Sequence, residues 1–355
     1  MKKIIASIPL LLIAFISCDK KDENATFQND LKTYNLNGNV KSIQERSYEF
    51  VGGDAKGGLK RENVATYDVD LEFDKNHQLI SEKSILPDGK VFNLKTFEHK
   101  KKMLLQEEFL PNDVIYKTKY TFNGDNNTII SKRDKNGNQI HKTVNTFLNG
   151  NLTQKRLFDK DDQLIERYEY KSDKNGNQIE AARYNLYEAL YKDVYEYDRK
   201  NNKISEARFD KDNNLLYKIQ TTYKDSLITE IIGLDSKLNH ISAEKRSYDS
   251  KGNLLNRSFQ DLISEEYTQE NNQYDSSSNL IEWSLIINKV VSQKIKYKYD
   301  SHKNVTQIDK LDENGNVQES RKYLYEYDKQ GNWIRKSIII KDMQTFVLER
   351  KIEYY

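Results

Sequence analysis

The chain is poor in cysteine, proline and histidine: one Cys, three Pro and five His in 355 residues. A single cysteine closes no internal disulfide and builds no multi-cysteine metal site. Hydrophobic residues make up only 36% of the chain, against about 45–50% in ordinary globular domains, so a thick two-layer core is not expected. Charge of one sign is missing too. The 57 basic residues face 55 acidic ones, and Lys2 and Lys3 fall in a segment expected to be removed, leaving the two signs equal. Without a basic excess there is no electrostatic footprint for nucleic acid, and none is expected as a partner. The shortage of apolar residues alone would suit disorder, but aromatics reach 11% and proline is nearly absent, which is the reverse of a disordered composition.

At the N-terminus, Lys2 and Lys3 precede an apolar run from Ile4 to Ile16 that stops abruptly at Ser17, Cys18 and Asp19. As a helix the run rises about 20 Å, short of a bilayer core of about 30 Å, so it reads as a signal peptide rather than a span. A small residue followed by Cys18 resembles the lipobox of bacterial lipoproteins, with Phe15 in place of the usual aliphatic residue. The resemblance implies lipid attachment at Cys18, cleavage after residue 17 and anchoring by two or three acyl chains. The other reading is ordinary secretory cleavage near Ser17, which leaves a free thiol. Lys21, Asp22 and Glu23 are similar to the export signal that sends lipoproteins of Bacteroidetes-type bacteria to the cell surface, whereas Asp19 would by enterobacterial rules imply inner-membrane retention; the alternative location is periplasm-facing. We expect an outer-membrane, surface-exposed lipoprotein: signal peptide 1–17, lipidated N-terminus and flexible tether 18–36, and a folded domain 37–355.

A repeat fills that domain. Tyr-Asp or a degenerate equivalent recurs at Asp74, His99, Asn123, Asn149, Asp173, Asp198, Asp225, Asp249, Asp275, Asp300 and Asp328, at intervals of 24 to 28 residues. Turn residues fall midway between, among them Asp88, Asp134, Asp159, Asp210, Asp235 and Asp312, and Pro87 and Pro111 lie at such turns. Each unit therefore holds two segments of about eight residues, a length that suits strands and not stable helices. Ile295, Tyr297 and Tyr299 alternate with Lys294, Lys296 and Lys298, and Tyr323, Tyr325 and Tyr327 with Lys322, Leu324 and Glu326. One face is thus rich in tyrosine and the other in charge. Asp-x-Asn-Gly-Asn at 134–138, 173–177 and 312–316 supplies turn chemistry, and connections of about four residues join only antiparallel neighbours. The expected fold is all-β: a long antiparallel β-meander of about 22 strands, built from two-strand repeats of about 25 residues, as one curled or rolled sheet.

The Tyr-Asp-x-x-Gly-Asn turn followed by a strand ending in another aromatic resembles the YD repeat of Rhs and teneurin-type surface proteins, over residues 65 to 355. The Arg that many such repeats carry after the Gly is mostly Asn here. The run from Leu36 to Ile43, Leu-Asn-Gly-Asn-Val-Lys-Ser-Ile, resembles the opening of Bacteroidetes lipoproteins with such repeats. In the large relatives the meander encloses a C-terminal toxin. Here the strand pattern runs to Tyr354 and Tyr355, and neither toxin nor autocleavage domain is expected.

Sites of chemistry are sparse. The Asp134, Asn136, Asn138 and Asp173, Asn175, Asn177 turns resemble the start of a calcium loop, but Gln139 and Gln178 stand where that loop needs Gly and its closing Glu is absent. They read as structural turns. His77, His99, His141, His240 and His302 lack metal-ligand spacing, and no phosphate-loop, dinucleotide or nucleophile-elbow motif occurs. No cofactor, no metal, no catalytic residue and no enzymatic activity are expected. The tyrosine stripe, Tyr168, Tyr170, Tyr195, Tyr197, Tyr297 and Tyr299, serves either cross-strand pairing or the stacking of a ligand. The expectation is a non-catalytic binding or scaffold module, attached to the membrane through Cys18, with a carbohydrate or another surface protein as ligand. The alternative is a delivery or immunity component related to toxin systems.

Overall fold

The computed structural model describes residues 30–49, 68–100, 103–110, 114–123, 127–134 and 136–355. Among the described residues one short helix, α1 (Asp30–Thr33), precedes 24 strands, which run from β1 (Val40–Glu49), β2 (Asp68–Phe73) and β3 (Leu79–Ile85) to β20 (Val290–Tyr299), β21 (Val305–Leu311), β22 (Val317–Tyr327), β23 (Trp333–Ile340) and β24 (Met343–Tyr354). All belong to one sheet, in which strands from β2 onward pair antiparallel with their neighbours in sequence. The all-β single-sheet meander read from the sequence is the fold, with 24 strands where about 22 were expected. The strand ahead of the first repeat marker, β1, pairs antiparallel with both β2 and β24. Among the described strands the series of pairings therefore returns to its start, and each strand has two neighbours.

The turns explain the regularity. In the turn at 173–177, Asp173 N–H donates to the Asn177 carbonyl at 2.9 Å, and Gly176 N–H donates to the Asp173 carbonyl at 3.1 Å. The Asp173 carboxylate accepts the Asn175 and Asn177 amides on one oxygen, at 2.8 and 2.9 Å, and the Asn177 side chain on the other, at 2.9 Å. The same bonding recurs at Asp198, Asp210, Asp235, Asp249 and Asp275. The fourth residue is left-handed: glycine in Gly176 and Gly315, yet Asn201 and Leu238 elsewhere. An extra residue follows in the outgoing strand. Tyr248 pairs with Leu254 and Ser247 with Asn256, so Leu255 is left over; Tyr274 with Leu280 and Gln273 with Glu282 leave Ile281. Each such bulge raises local twist and bends its strand, at either end of the hairpins, which curls the sheet.

Side-chain bonds then tie one repeat to the next. Hydroxyls of Tyr197, Tyr223, Tyr248, Tyr274 and Tyr299 donate to the carbonyls of Gln178, Lys203, Ile228, Leu254 and Leu280, 2.8–3.1 Å away and 19 or 20 residues back. On the tyrosine face, Arg208 grips buried Asp193 with two bonds of 2.7 and 2.9 Å, and Glu244 sits between Arg246 and Arg257. Burial would raise the Glu244 pKa, but the Arg257 and Arg246 guanidiniums outweigh it and hold the group below the usual range.

Apolar burial concentrates at the closure. Leu31 of α1 and Leu36 pack with Val40, Ile43, Leu71, Phe73 and Leu79, flanked by Tyr34, Ile352 and Tyr354. Asp30 fixes the helix to the β2–β3 turn: its N–H donates to the His77 carbonyl at 2.9 Å, and its carboxylate accepts Leu79 N–H at 2.7 Å. Residues 30–36, expected in the flexible tether, are therefore part of the fold. Leu31, Tyr34 and Leu36 bring apolar surface that a solvated tether would leave in water.

Gly315 has φ +85° and open space where a Cβ would sit, so Gly315→Ala costs about 1 kcal/mol of left-handed backbone strain. Leu238, at φ 65° and 56% exposed, gains up to about 1 kcal/mol as Leu238→Gly; thermal melting of both variants checks the pair. Tyr248→Phe removes one inter-repeat bond and lowers stability by about 1 kcal/mol in the same assay. The turn aspartates, Asp173, Asp198, Asp210, Asp235, Asp249 and Asp275, all have depressed pKa values because their asparagine side chains and turn amides bond the charged form. Their stabilisation is present above the unfolded carboxylate value, about 3.9, and is lost as pH falls through the lower folded values. Acid unfolding should set in below about pH 4, and Asp235→Asn should weaken that pH dependence; an unchanged profile would refute the assignment.

Candidate functional site

The closure also leaves a cavity of about 700 Å³, a size common among small-molecule sites. One wall is the segment after α1, Tyr34 to Asn37, turned by Asn35 at φ 52° and Gly38 at φ 77°. The other walls come from the β20–β21 turn (His302, Lys303, Asn304), from Gly331, Asn332 and Trp333 where β23 begins, and from Arg350 on β24.

Asn332 joins these walls. Its side chain accepts Asn37 N–H at 2.8 Å and donates to the Asn37 carbonyl at 2.9 Å and to the Tyr354 hydroxyl at 2.7 Å. It thus acts as a short piece of β-ladder between parts of the chain 295 residues apart. Tyr354 in turn donates to Asp328. Burial first, then that carboxylate, pushes the Tyr354 pKa up to about 12, so the phenol stays protonated and keeps donating. Tyr327 repeats the arrangement one unit earlier, donating to Asp300 and accepting from Asn304 at 2.6 Å, and His302 stacks on its ring at 4.0 Å.

The Arg350 guanidinium carbon sits over the Trp333 indole, 3.5 Å from its centroid, and Nε donates to Glu45 on β1 at 2.7 Å. Burial lowers the Arg350 pKa and Glu45 opposes that shift. Asp300 and Asp328 are turned into their own turns, where each also accepts two backbone amides. As a result the cavity lining contains Lys32, Lys303, His302 and Arg350 and, among the described residues, no carboxylate, serine, threonine or cysteine. This composition suits holding a polar, anionic ligand.

The residues singled out in the sequence fare unevenly. Cys18 lies outside the described residues. The Tyr stripe is on the more sheltered face, and Tyr197 and Tyr299 spend their hydroxyls on inter-repeat bonds. In the Asp134 and Asp173 turns both carboxylate oxygens bond within the loop. Among the described residues no cluster of three or more His, Cys, Asp or Glu is placed to hold a metal. The cavity was missed because its walls meet only on closure. One signal was present: Trp333 takes the strand-opening position held by Leu254, Leu280 and Val305 in other repeats.

No family model and no curated protein matches the chain. Solved structures do. The TcdB2-TccC3-Cdc42 crystal structure is similar at 10% identity and TM-score 0.28, over 79% of this chain and 19% of that one. The Photorhabdus luminescens Tc holotoxin pore is similar at 8% and 0.27, over 79% and 19%. A porin-like protein from Bacteroides uniformis is similar at 11% and 0.24, over 90% and 99%. The chain thus spans about a fifth of the toxin chains and nearly the full porin-like one. At these TM-scores the likeness assigns this chain no family or activity.

Proposed function

We propose that this protein is a lipid-anchored cell-surface module that binds a ligand without transforming it. Acyl chains on Cys18 hold it to the outer membrane, the sheet faces outward, and the ligand is a carbohydrate or another surface protein. The observation that carries the reading is the seam cavity, whose amides and cations offer hydrogen bonding and ionic contacts and whose lining, among the described residues, holds no carboxylate, serine, threonine or cysteine. Its wall begins close to the anchor. Asp30 lies twelve residue steps after Cys18, a covalent path of at most about 43 Å. The sheet gives such a module a rigid body with its strand edges paired, which guards against edge-to-edge association on a crowded surface.

Protease shaving of intact cells, with wild-type protein and with Cys18→Ala, tests anchor and exposure together. The wild-type domain should be released by protease, whereas the variant should be missing from the membrane fraction. Full protection of the wild type would refute surface exposure. A glycan array and a pull-down with the 18–355 protein test binding, and silence in both would sink the binding role.

A further inference from the structure

Resting on that binding role, we propose that the seam cavity recognises an acidic oligosaccharide, one that carries carboxylates on its sugar rings. The chain as a whole is balanced in charge, yet this lining is one-sided: Lys32, Lys303 and Arg350 with, among the described residues, no acidic side chain. Glu45 offsets Arg350, so the net attraction comes from Lys32 and Lys303. Both are exposed, and neither forms an ion pair among the described residues.

Arg350 contributes geometry instead. With Nε committed to Glu45 and the guanidinium carbon held over the Trp333 ring, its two terminal nitrogens make no bond to an acceptor among the described residues. A planar, prepositioned pair of donors matches a carboxylate. Sugar hydroxyls need groups that both donate and accept, and the side-chain amides of Asn35 and Asn37, which line the same cavity, make no hydrogen bond among the described residues. An acidic peptide would satisfy the lysines but would leave these amides and the Tyr34 ring with less to do. The saccharide uses all of them.

The test is calorimetric titration of the 18–355 protein with an oligogalacturonate, a neutral oligosaccharide of equal length and an oligoglutamate. The oligogalacturonate should bind at least about tenfold more tightly than either comparator and lose affinity as salt rises. Lys32→Gln with Lys303→Gln should weaken binding about three- to tenfold, while Lys298→Gln, on the charged face of β20, should not. Circular dichroism melting of each variant separates loss of the site from loss of the fold. Equal binding of the neutral sugar, stronger binding of oligoglutamate, no binding of the oligogalacturonate, or indifference to the double substitution in a folded protein would each overturn the assignment. A neutral glycan or protein ligand found in the broader screens would leave the binding role standing and remove only the acidic specificity.

Discussion

The structure depends on one interaction repeated at both ends of its hairpins: an aspartate that opens a turn and accepts the backbone amides two and four residues ahead. Once Asp173 or Asp235 has done so, the chain reverses within four residues, the fourth residue becomes left-handed and the outgoing strand starts with one residue too many. The bulge is a consequence of the turn. Because the turns alternate between the two ends of the strands, twist is added along both, and a strip of such hairpins bends instead of lying flat. This is also why a chain with so few apolar residues folds. Its turns and Tyr hydroxyl bonds are satisfied locally, and each hairpin contacts mainly its neighbours.

Local repetition cannot finish the sheet. An array of this kind has two terminal strands with unpaired backbone groups, a hazard for association. Here β1 resolves it by pairing on both sides, with Ile43 opposite Leu71 on β2 and opposite Ile352 on β24. The energetics change in character at that point. Away from the seam the buried apolar residues are scattered, as Ala182, Ala207, Leu234 and Leu311 are, whereas around β1 they form a contiguous cluster capped by α1. A contact between ends of the chain carries a large loop-closure entropy that neighbouring hairpins never meet, and concentrated hydrophobic burial is the term available to offset it.

These two regimes explain what could be read from the sequence. Period, strand length, the phase of the turns and the tyrosine face follow from residues within one unit, so Asp249, Gly252 and Tyr274 declare them. The position of Gly was legible, but its role differs from a two-residue Asn-Gly hairpin: Gly176 follows the tight part of the turn and leads into the bulge. Closure was not legible, because the pairing of Glu45 with Arg350 or of Asn37 with Asn332 has no period and no neighbouring signal. The burial of Leu31 and Leu36 was hidden for the same reason. Their partners are assembled by the seam, and in the sequence they stand in a polar stretch.

The same division bears on where a ligand site can arise. In the interior of the array the polar groups of one unit are matched by the next: the Tyr248 hydroxyl by the Ile228 carbonyl, the Asn253 side chain by Asp249 and Ser278. A repeat that satisfies its neighbour leaves little for a third molecule. At the seam the partner is not another repeat but α1 and the segment behind it, whose shape does not follow the 25-residue period. Lys303 and Trp333 occupy standard repeat positions, one the left-handed turn residue and the other the first residue of a strand, yet they line one cavity with Lys32 and Tyr34. The mismatch between a periodic sheet and an aperiodic cap creates the cavity, and the residues placed there are free to depart from the pattern because the pattern no longer needs them.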